Sequence, residues 1–311
     1  MVIAPPLIVL LGPTASGKTE LALQLAEAFG GEIIGADSRQ VYRGLDIGSA
    51  KPAPAQQARA PHHLIDAAEP DEPFSLADFL RLARAAIDDV HSRGRLPLLV
   101  GGTGQYITAL TEGWQAPEVP PDPALRAELE AFAARQGAPA LFERLRAADP
   151  EAAAFVDGRN LRRVIRALEV IHATGQPFSA QRRRIPPPWR IRQFGLTLER
   201  ERLYAQADGR IGQMVEAGFV EEVRGLLGRG YGRHLPSMSA LGYRELCDHL
   251  LDGVPLDAAL EQTRFATHDF IRRQYTWFRG HDRDVTWLDA EQAVGPLAEA
   301  VAAWLNEREG T

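Results

Sequence analysis

An apolar run, Leu7–Leu11, leads directly into Gly12-Pro13-Thr14-Ala15-Ser16-Gly17-Lys18-Thr19, and this junction constrains the chain more than any other segment. The spacing G-x-x-x-x-G-K-T after a strand describes a phosphate cradle. Glycines let successive backbone N–H groups turn inward around phosphate oxygens, and the helix that follows presents its positive N-terminal end. Lys18 adds a mobile cation, and the Thr19 hydroxyl is placed to meet a magnesium ion carried with the phosphates. Leu21, Ala22, Leu25, Ala26 and Phe29 recur at helical spacing, and Gly30-Gly31 supply a stop. A ligand with at least two phosphates is expected at residues Gly12 through Thr19.

The first hundred residues alternate strand and helix. A second strand is predicted over Glu32–Ala36, ending at Asp37. Ser75 and Asp78 form a capping-box pattern at the head of a helix carrying Phe79, Leu82, Ala83, Ala86, Ile87 and Val90. Leu96–Val100 is a third strand-length run, ending in Gly101-Gly102-Thr103-Gly104. Such alternation predicts an α/β fold, a parallel sheet flanked by helices like that of the P-loop NTPases, with ligands gathered at the strands' carboxyl ends. A carboxylate there, Asp37, is suited to act as a general base, although the same position also suits a loop-capping aspartate.

After Trp114 the texture changes. A proline-rich stretch introduces helix patterns around Pro123–Gln136 and Pro139–Ala148, so 115–190 reads as a helical insertion ended by Pro186-Pro187-Pro188. The catalytic core is then 1–114 with 191–311. Beyond the insertion, Glu199–Leu227 and Leu256–Phe278 read as helices, and the tail after Ala290 as an amphipathic one. The formal net charge is −6, which by itself disfavours a polyanionic partner. Its distribution reverses the inference. Nine arginines (159, 162, 163, 166, 182, 183, 184, 190 and 192) face one acid, Glu169, between Arg159 and Arg192, and such a local field attracts polyanions.

Cys247 is the only cysteine, which excludes an internal disulfide and a cysteine-cluster metal site. No apolar run approaches the ~20 residues of a membrane span. No Lys or Arg precedes Lys18, so no basic leader is expected, and the cytoplasm is the expected location. His62-His63 lacks further ligands at metal spacing and reads as a structural pair. Leu64-Ile65-Asp66 has only a superficial likeness to a strand-end magnesium aspartate. Ser239-Ala240-Leu241-Gly242-Tyr243-Arg244 and Arg272-Arg273-Gln274-Tyr275-Thr276-Trp277-Phe278-Arg279 mix arginine with aromatic and amide groups. That mixture suits RNA, whose phosphates meet guanidiniums and whose splayed bases stack on rings; Trp277 and Phe278 alone fit a helix core equally well.

With these segments assembled, the chain resembles the bacterial tRNA dimethylallyltransferases, which move a five-carbon prenyl group from dimethylallyl diphosphate to an adenine beside the anticodon. The resemblance rests on the phosphate loop, on Asp37 through Pro52, on Gly101-Gly102-Thr103-Gly104-Gln105-Tyr106, on Arg162-Arg163-Val164-Ile165-Arg166-Ala167-Leu168-Glu169, on Ser239 through Arg244 and on Arg273 through Phe278, in the family's order. It implies that the loop holds the donor diphosphate with Mg2+ near Thr19, that Asp37 accepts a proton from the adenine's exocyclic amine, that Thr103 lies near the flipped adenine, and that Arg210 steadies the leaving group. It implies tRNA contacts at Asp37, Ser38, Arg39, Gln40, Thr103, Arg126, Arg162, Arg163, Val164, Ile165, Arg166, Ser239, Ala240, Leu241, Gly242, Tyr243, Arg244, Arg272, Arg273, Gln274, Tyr275, Thr276, Trp277, Phe278 and Arg279. The insertion would grip the anticodon stem-loop, and a monomer is expected.

Gln105, Asn160 and Gln206 depart from the family's usual leucine, aspartate and arginine, which touches fine RNA contacts and leaves the reaction class alone. Two other enzymes share the opening of the chain: a small-molecule kinase, and a prenyltransferase of free adenine nucleotides. Neither needs the basic, aromatic second half. A GTPase module is excluded because neither Asn160 nor Asn306 begins an N-K-x-D motif.

Overall fold

The computed structural model describes residues 4–117, 119–181, 183–281 and 284–307; Arg182 of the basic segment lies outside them. In chain order, β1 (Pro6–Leu11), α1 (Lys18–Phe29), β2 (Gly31–Ala36), the single turn α2 (Pro54–Gln57), β3 (His62–His63), α3 (Leu76–Ser92), β4 (Leu96–Gly101) and α4 (Gly104–Thr111) come first. The helices α5 (Pro123–Gln136), α6 (Ala138–Ala148), α7 (Pro150–Phe155) and α8 (Leu161–Thr174) follow. Then come β5 (Arg190–Thr197), α9 (Arg200–Glu216), α10 (Phe219–Gly228), α11 (Tyr243–Asp252), α12 (Leu256–Arg279), β6 (Val285–Asp289) and α13 (Val294–Asn306). None of these helices is long and apolar enough to cross a membrane.

The strands form one sheet in the order β3-β2-β4-β1-β5-β6, every neighbouring pair parallel. β1 is central, and Leu7 through Leu11 are all buried, as an uninterrupted apolar run requires when helices cover both faces of a parallel strand. Leu21, Ala22, Leu25 and Ala26 of α1 pack in the same core as Leu297, Val301 and Trp304 of α13. The chain leaves β1 toward β2 on one side, and after β4 it returns to β5 on the other, opening a crevice beyond the carboxyl ends of β1 and β4. At the head of α3 the capping box is formed: the Asp78 amide donates to Ser75 Oγ at 3.2 Å, and the Ser75 amide donates to Asp78 Oδ2 at 3.0 Å. Such a cap contributes about 1 kcal/mol.

Several elements differ from the sequence reading. Arg190 and Arg192, counted there as part of a basic surface, lie on β5 between β1 and β6. Their guanidiniums stand over the rings of Trp304 and Phe194, so the strand hides in a stretch whose charged residues mask its apolar ones. The helix read over Glu199–Leu227 is two, broken at Gly218, whose φ of 99° ends one helix and starts the next. Asp66 is no strand-end magnesium ligand. It follows a left-handed turn, and its carboxylate pairs with Lys51 at 2.6 Å. His63 donates to or accepts from Glu32 at 2.8 Å and His62 bonds to the Ala60 carbonyl, which makes the pair structural.

The chain divides into two compact units, Thr111–Pro187 and the remainder, against the 115–190 drawn from sequence. Within Thr111–Pro187, Leu129, Leu141, Leu145, Val164 and Ile165 form the core. Val164 and Ile165 are therefore packing residues, with no side-chain surface left for RNA. One carboxylate organises this unit: buried Glu169 takes Arg126 Nε at 2.7 Å, Arg126 Nη2 at 2.8 Å, Arg166 Nη1 at 2.5 Å and the Asp122 amide at 2.8 Å. Burial opposes its charge, but the bonds from Arg126, Asp122 and Arg166 prevail and hold its pKa down to about 2. Arg159 and Arg184 are likewise paired, with Asp157 and Glu112. Arg162 and Arg163 are exposed and form no ion pair among the described residues. Asn160 caps α8 by accepting from the Arg163 amide at 3.2 Å, so its departure from aspartate keeps the cap.

Glu169→Ala is expected to cost about 3–5 kcal/mol, because it leaves two arginines uncompensated. Denaturant unfolding of the full chain measures this, and hydrogen exchange localises it to α8. In the intact protein the carboxylate's contribution is present above its ordinary pKa of 4.5 and is lost as pH falls toward about 2. A stability change below about 0.5 kcal/mol, as for an ordinary surface position, would contradict the assigned role.

Candidate active site

β1 ends at Leu11, and the loop to α1 is built on positive backbone angles: Gly12 at φ 156°, Ala15 at 65° and Gly17 at 82°. Gly12 has a steric reason as well, since a Cβ there would lie 3.0 Å from the Leu196 carbonyl oxygen. α1 therefore begins with its first amides unpaired by any side-chain cap, facing the position a phosphate would take. Lys18 folds back over the loop and donates to the Pro13 carbonyl at 2.6 Å and to Ser16 Oγ at 3.4 Å. Desolvation pushes its pKa down to about 7; the Asp37 carboxylate opposes the shift and Arg210 adds to it. Desolvation lowers the Arg210 guanidinium as well, again against Asp37.

Asp37 sits half-buried just past β2. Its Oδ1 accepts from the Arg39 amide at 2.8 Å and the Gln40 amide at 3.4 Å, while Oδ2 accepts no hydrogen bond among the described residues. Both sequence readings of this residue are thus physically present, one oxygen capping the turn and the other available to a ligand. Thr103 joins the next loop to it. Its amide donates to the Ala36 carbonyl at 3.1 Å and its Oγ1 accepts from the Ser38 amide at 3.0 Å, which leaves the hydroxyl proton to donate.

These groups line one cavity of about 350 Å³. Ala207, Arg210, Ile211 and Met214 fall at i, i+3, i+4 and i+7 on α9 and present one face to it. Thr14, Lys18, Thr19, Asp37 and Arg210 make its polar part, and Ala22, Ile33, Val100, Met214 and Phe219 its apolar part. Arg273 reaches the same cavity from α12 and has no acidic partner among the described residues. The chamber therefore holds four cations, Lys18, Arg39, Arg210 and Arg273, against one carboxylate. It suits a ligand with a multiply charged anionic head and a short apolar tail. Thr19 is the hydroxyl at the helix start, and the described residues nowhere gather three His, Cys, Asp or Glu side chains. That donor set fits a divalent ion arriving with phosphate oxygens and waters, and does not fit a resident metal.

The segments matched to RNA contact divide by burial. In the first, Arg39 Nη1 donates to the Pro236 carbonyl at 2.6 Å and Nη2 to Ser239 Oγ at 3.3 Å. Gln40 donates to the Ser49 and Ala50 carbonyls. Ser239, Ala240 and Leu241 line the cavity. Tyr243 is fully buried and donates to Glu222 at 2.6 Å. Gly242 is held at φ 82°, and a Cβ there would meet the Phe219 ring at 2.6 Å. Arg244 is exposed and pairs with Glu245. On α12, Ile271, Gln274 and Phe278 are buried. The Tyr275 hydroxyl donates to the Leu198 carbonyl at 3.2 Å and the Trp277 indole to Thr108 at 3.1 Å. Arg272, Arg273, Thr276 and Arg279 are exposed. Ala240, Tyr243, Gln274 and Phe278 are thus packed inside, whereas Ser239, Arg244, Arg272, Arg273, Thr276 and Arg279 are exposed.

Sequence reasoning missed Glu222. Its Oε2 accepts from the Asp46 and Ile47 amides at 3.1 and 2.8 Å, and its Oε1 from the Gly48 amide at 3.2 Å. The loop so gathered supplies Gly48, Ser49, Ala50 and Pro52 to the cavity wall. Lys51 anchors the same loop, buried between Asp46 and Asp66. An acid on a helix reads as a solvated face, so no local signal announces this role.

Comparison with known proteins agrees with the site. The model of the IPP transferase family matches residues 40–281, and that of isopentenyl transferases matches 5–66. A tRNA dimethylallyltransferase of Chloroflexus aurantiacus is 56% identical over 273 residues, 88% of this chain and 92% of its own. One from a Roseiflexus species is 52% identical over 302 residues, 97% of this chain and 99% of its own. The crystal structure of a Bacillus halodurans tRNA isopentenylpyrophosphate transferase superimposes with a TM-score of 0.71 at 40% identity, covering 97% of both chains. A eukaryotic dimethylallyltransferase acting on tRNA gives a TM-score of 0.81 at 25% identity, over 97% of this chain and 79% of that one. With a family model matching residues 40–281 and relatives more than 50% identical over most of its length, this chain belongs to the IPP transferase family.

Proposed function

We propose that this chain transfers a dimethylallyl group from dimethylallyl diphosphate to the exocyclic amine of the adenine 3′ to the anticodon in tRNA. The observation that carries the reading is the cavity's composition: a phosphate loop and desolvated cations at one end, an apolar wall at the other, and a carboxylate with an unengaged oxygen between them. The loop amides, Lys18 and Arg210 bind the diphosphate, with Arg273 closing on it from α12. The apolar wall takes the prenyl tail. The adenine leaves its stack to enter the site, as base-modifying enzymes require. Its exocyclic nitrogen forms a bond to the allylic carbon as the carbon–oxygen bond to diphosphate breaks and the electron pair departs with diphosphate. Lys18 and Arg210 stabilise that developing charge in a water-poor site, where such contacts act most strongly. Asp37 Oδ2 takes the proton from the amine, and the Thr103 hydroxyl orients the base. Magnesium, held by Thr19 and the phosphate oxygens, would supply further charge neutralisation.

Exposed Arg272 and Arg279 on α12 are phosphate contacts for the tRNA, and within the insertion exposed Arg162 and Arg163 on α8 offer a polyanion-facing surface of their own. One chain supplies all these groups, which supports a monomer, and a tRNA substrate supports a cytoplasmic location. The direct test is transfer of labelled dimethylallyl diphosphate to an anticodon stem-loop bearing adenine 3′ of its anticodon. Label on free adenosine monophosphate alone would overturn the RNA assignment.

Asp37→Asn keeps an oxygen for the Arg39 and Gln40 amides and removes the proton acceptor. Transfer should fall by about 10²- to 10⁴-fold while donor and RNA affinities hold. A loss of RNA affinity equal to the loss of rate would contradict the base role.

Lys18 yields a second expectation. With a pKa near 7 in the free site, its amine is mostly neutral above that pH and must gain a proton as diphosphate binds. Its contribution to affinity is thus fully present below pH 7 and declines by up to about tenfold per pH unit above it. Calorimetric titration at pH 8 in buffers of different ionisation enthalpy should show uptake of about one proton, absent in Lys18→Arg, which stays charged. Equal uptake in both proteins would show that the free amine is already protonated.

A further inference from the structure

Gln274 stands in a segment matched to RNA contact, yet it is only 5% exposed and its amide is engaged at both ends. Its Oε1 accepts from the Thr14 amide at 2.9 Å, and its Nε2 donates to the Gly102 carbonyl at 2.9 Å. Thr14 belongs to the phosphate loop after β1, and Gly102 to the turn after β4. That turn is itself tied to the third loop, through the Thr103 amide on the Ala36 carbonyl and the Ser38 amide on Thr103 Oγ1. The packing at this point is tight, because a Cβ on Gly102 would lie 2.5 Å from Gln274 Nε2 and 3.3 Å from the Gly12 carbonyl.

We infer that Gln274 is a positioning residue for the transfer reaction: its side-chain amide clamps the phosphate loop to the turn that carries Thr103, so that donor diphosphate, Thr103 and Asp37 are held in one register. This rests on the donor site assigned above. Two parallel strands end in separate loops, and nothing in the sheet ladder beyond their last residues fixes one loop to the other. A group that both donates and accepts, buried between them, does so, and a glutamine amide offers both functions from separate atoms without charge. Arg272 and Arg279 of the same helix are exposed, so the segment has two tasks: its outer face offers cations to RNA phosphate and its inner face holds the loops.

The test compares Gln274→Glu and Gln274→Ala with the parent in the full chain. It measures binding of inorganic diphosphate and of dimethylallyl diphosphate in magnesium buffer, binding of the anticodon stem-loop, and transfer. Diphosphate affinity and kcat should fall by about 10- to 100-fold, with stem-loop affinity and its salt dependence unchanged. Q274E carries the decision, because it preserves shape. As a carboxylate it accepts from Thr14 and repels the Gly102 carbonyl; protonated, it again both donates and accepts. Its donor affinity relative to the parent should therefore recover as pH falls from about 8.5 to about 5.5, a range reached because burial raises a carboxyl's pKa. Lys18 is present in both proteins, so its contribution cancels in that ratio. A flat ratio, or weakened stem-loop binding with unchanged diphosphate affinity, would overturn the inference. If the parent chain itself fails to bind diphosphate, the donor site falls, and the clamp with it.

Discussion

Desolvated cations facing too little negative charge are what the rest of this structure is arranged around. Lys18 and Arg210 are both pushed toward neutrality by burial, and Asp37 is the carboxylate that opposes this in each case. Without a ligand the site is electrostatically incomplete, and a multiply charged anion completes it. The same imbalance serves catalysis, since a diphosphate that gains charge as its bond to carbon breaks is stabilised most by cations already stripped of water. Asp37 can act as a base because only one of its oxygens is engaged in its own turn.

Holding these groups in register falls to elements remote in sequence. The sheet fixes where β1, β2 and β4 end, but the loops beyond them need further restraint. Gln274 on α12 ties two of these loops together, and Glu222 on α10 and Lys51 hold the segment that forms the cavity wall, all through buried polar contacts. Such contacts act only when fully satisfied, because an unpaired buried group costs more than a hydrogen bond gains. The insertion repeats this on a smaller scale with Glu169, which draws Arg126 and Arg166 inward and leaves Arg162 and Arg163 at the surface. Of the arginines counted in the sequence, some build the protein and others face outward.

Much of this was legible in the chain. The strand, glycine loop and helix at Leu7–Phe29, the capping box at Ser75 and the first two helices of the insertion declare themselves locally, and so does the convergence of Asp37, Thr103 and the phosphate loop at strand ends. β5 did not, because Arg190 and Arg192 interrupt its apolar pattern, and their stacking on Trp304 and Phe194 is a tertiary fact. The break at Gly218 was passed over because helical spacing continues on both sides of it. Arginine composition suggested an RNA surface but could not separate paired from unpaired side chains. Burial likewise sets Val164, Ile165, Tyr243, Gln274 and Phe278 apart from their exposed neighbours, since a motif shows which residues recur together and not which way each one faces.

The most direct test of the central claim is a crystal structure of the full chain with a non-hydrolysable dimethylallyl diphosphate analogue and an anticodon stem-loop. In that complex diphosphate should be enclosed by residues 12–19 between Lys18 and Arg210, the prenyl tail should lie on the wall that includes Val100, Met214 and Phe219, and an extruded adenine should have its exocyclic amine within hydrogen-bonding distance of Asp37 Oδ2. Diphosphate bound outside that loop, or an adenine whose amine lies beyond reach of Asp37, would contradict it.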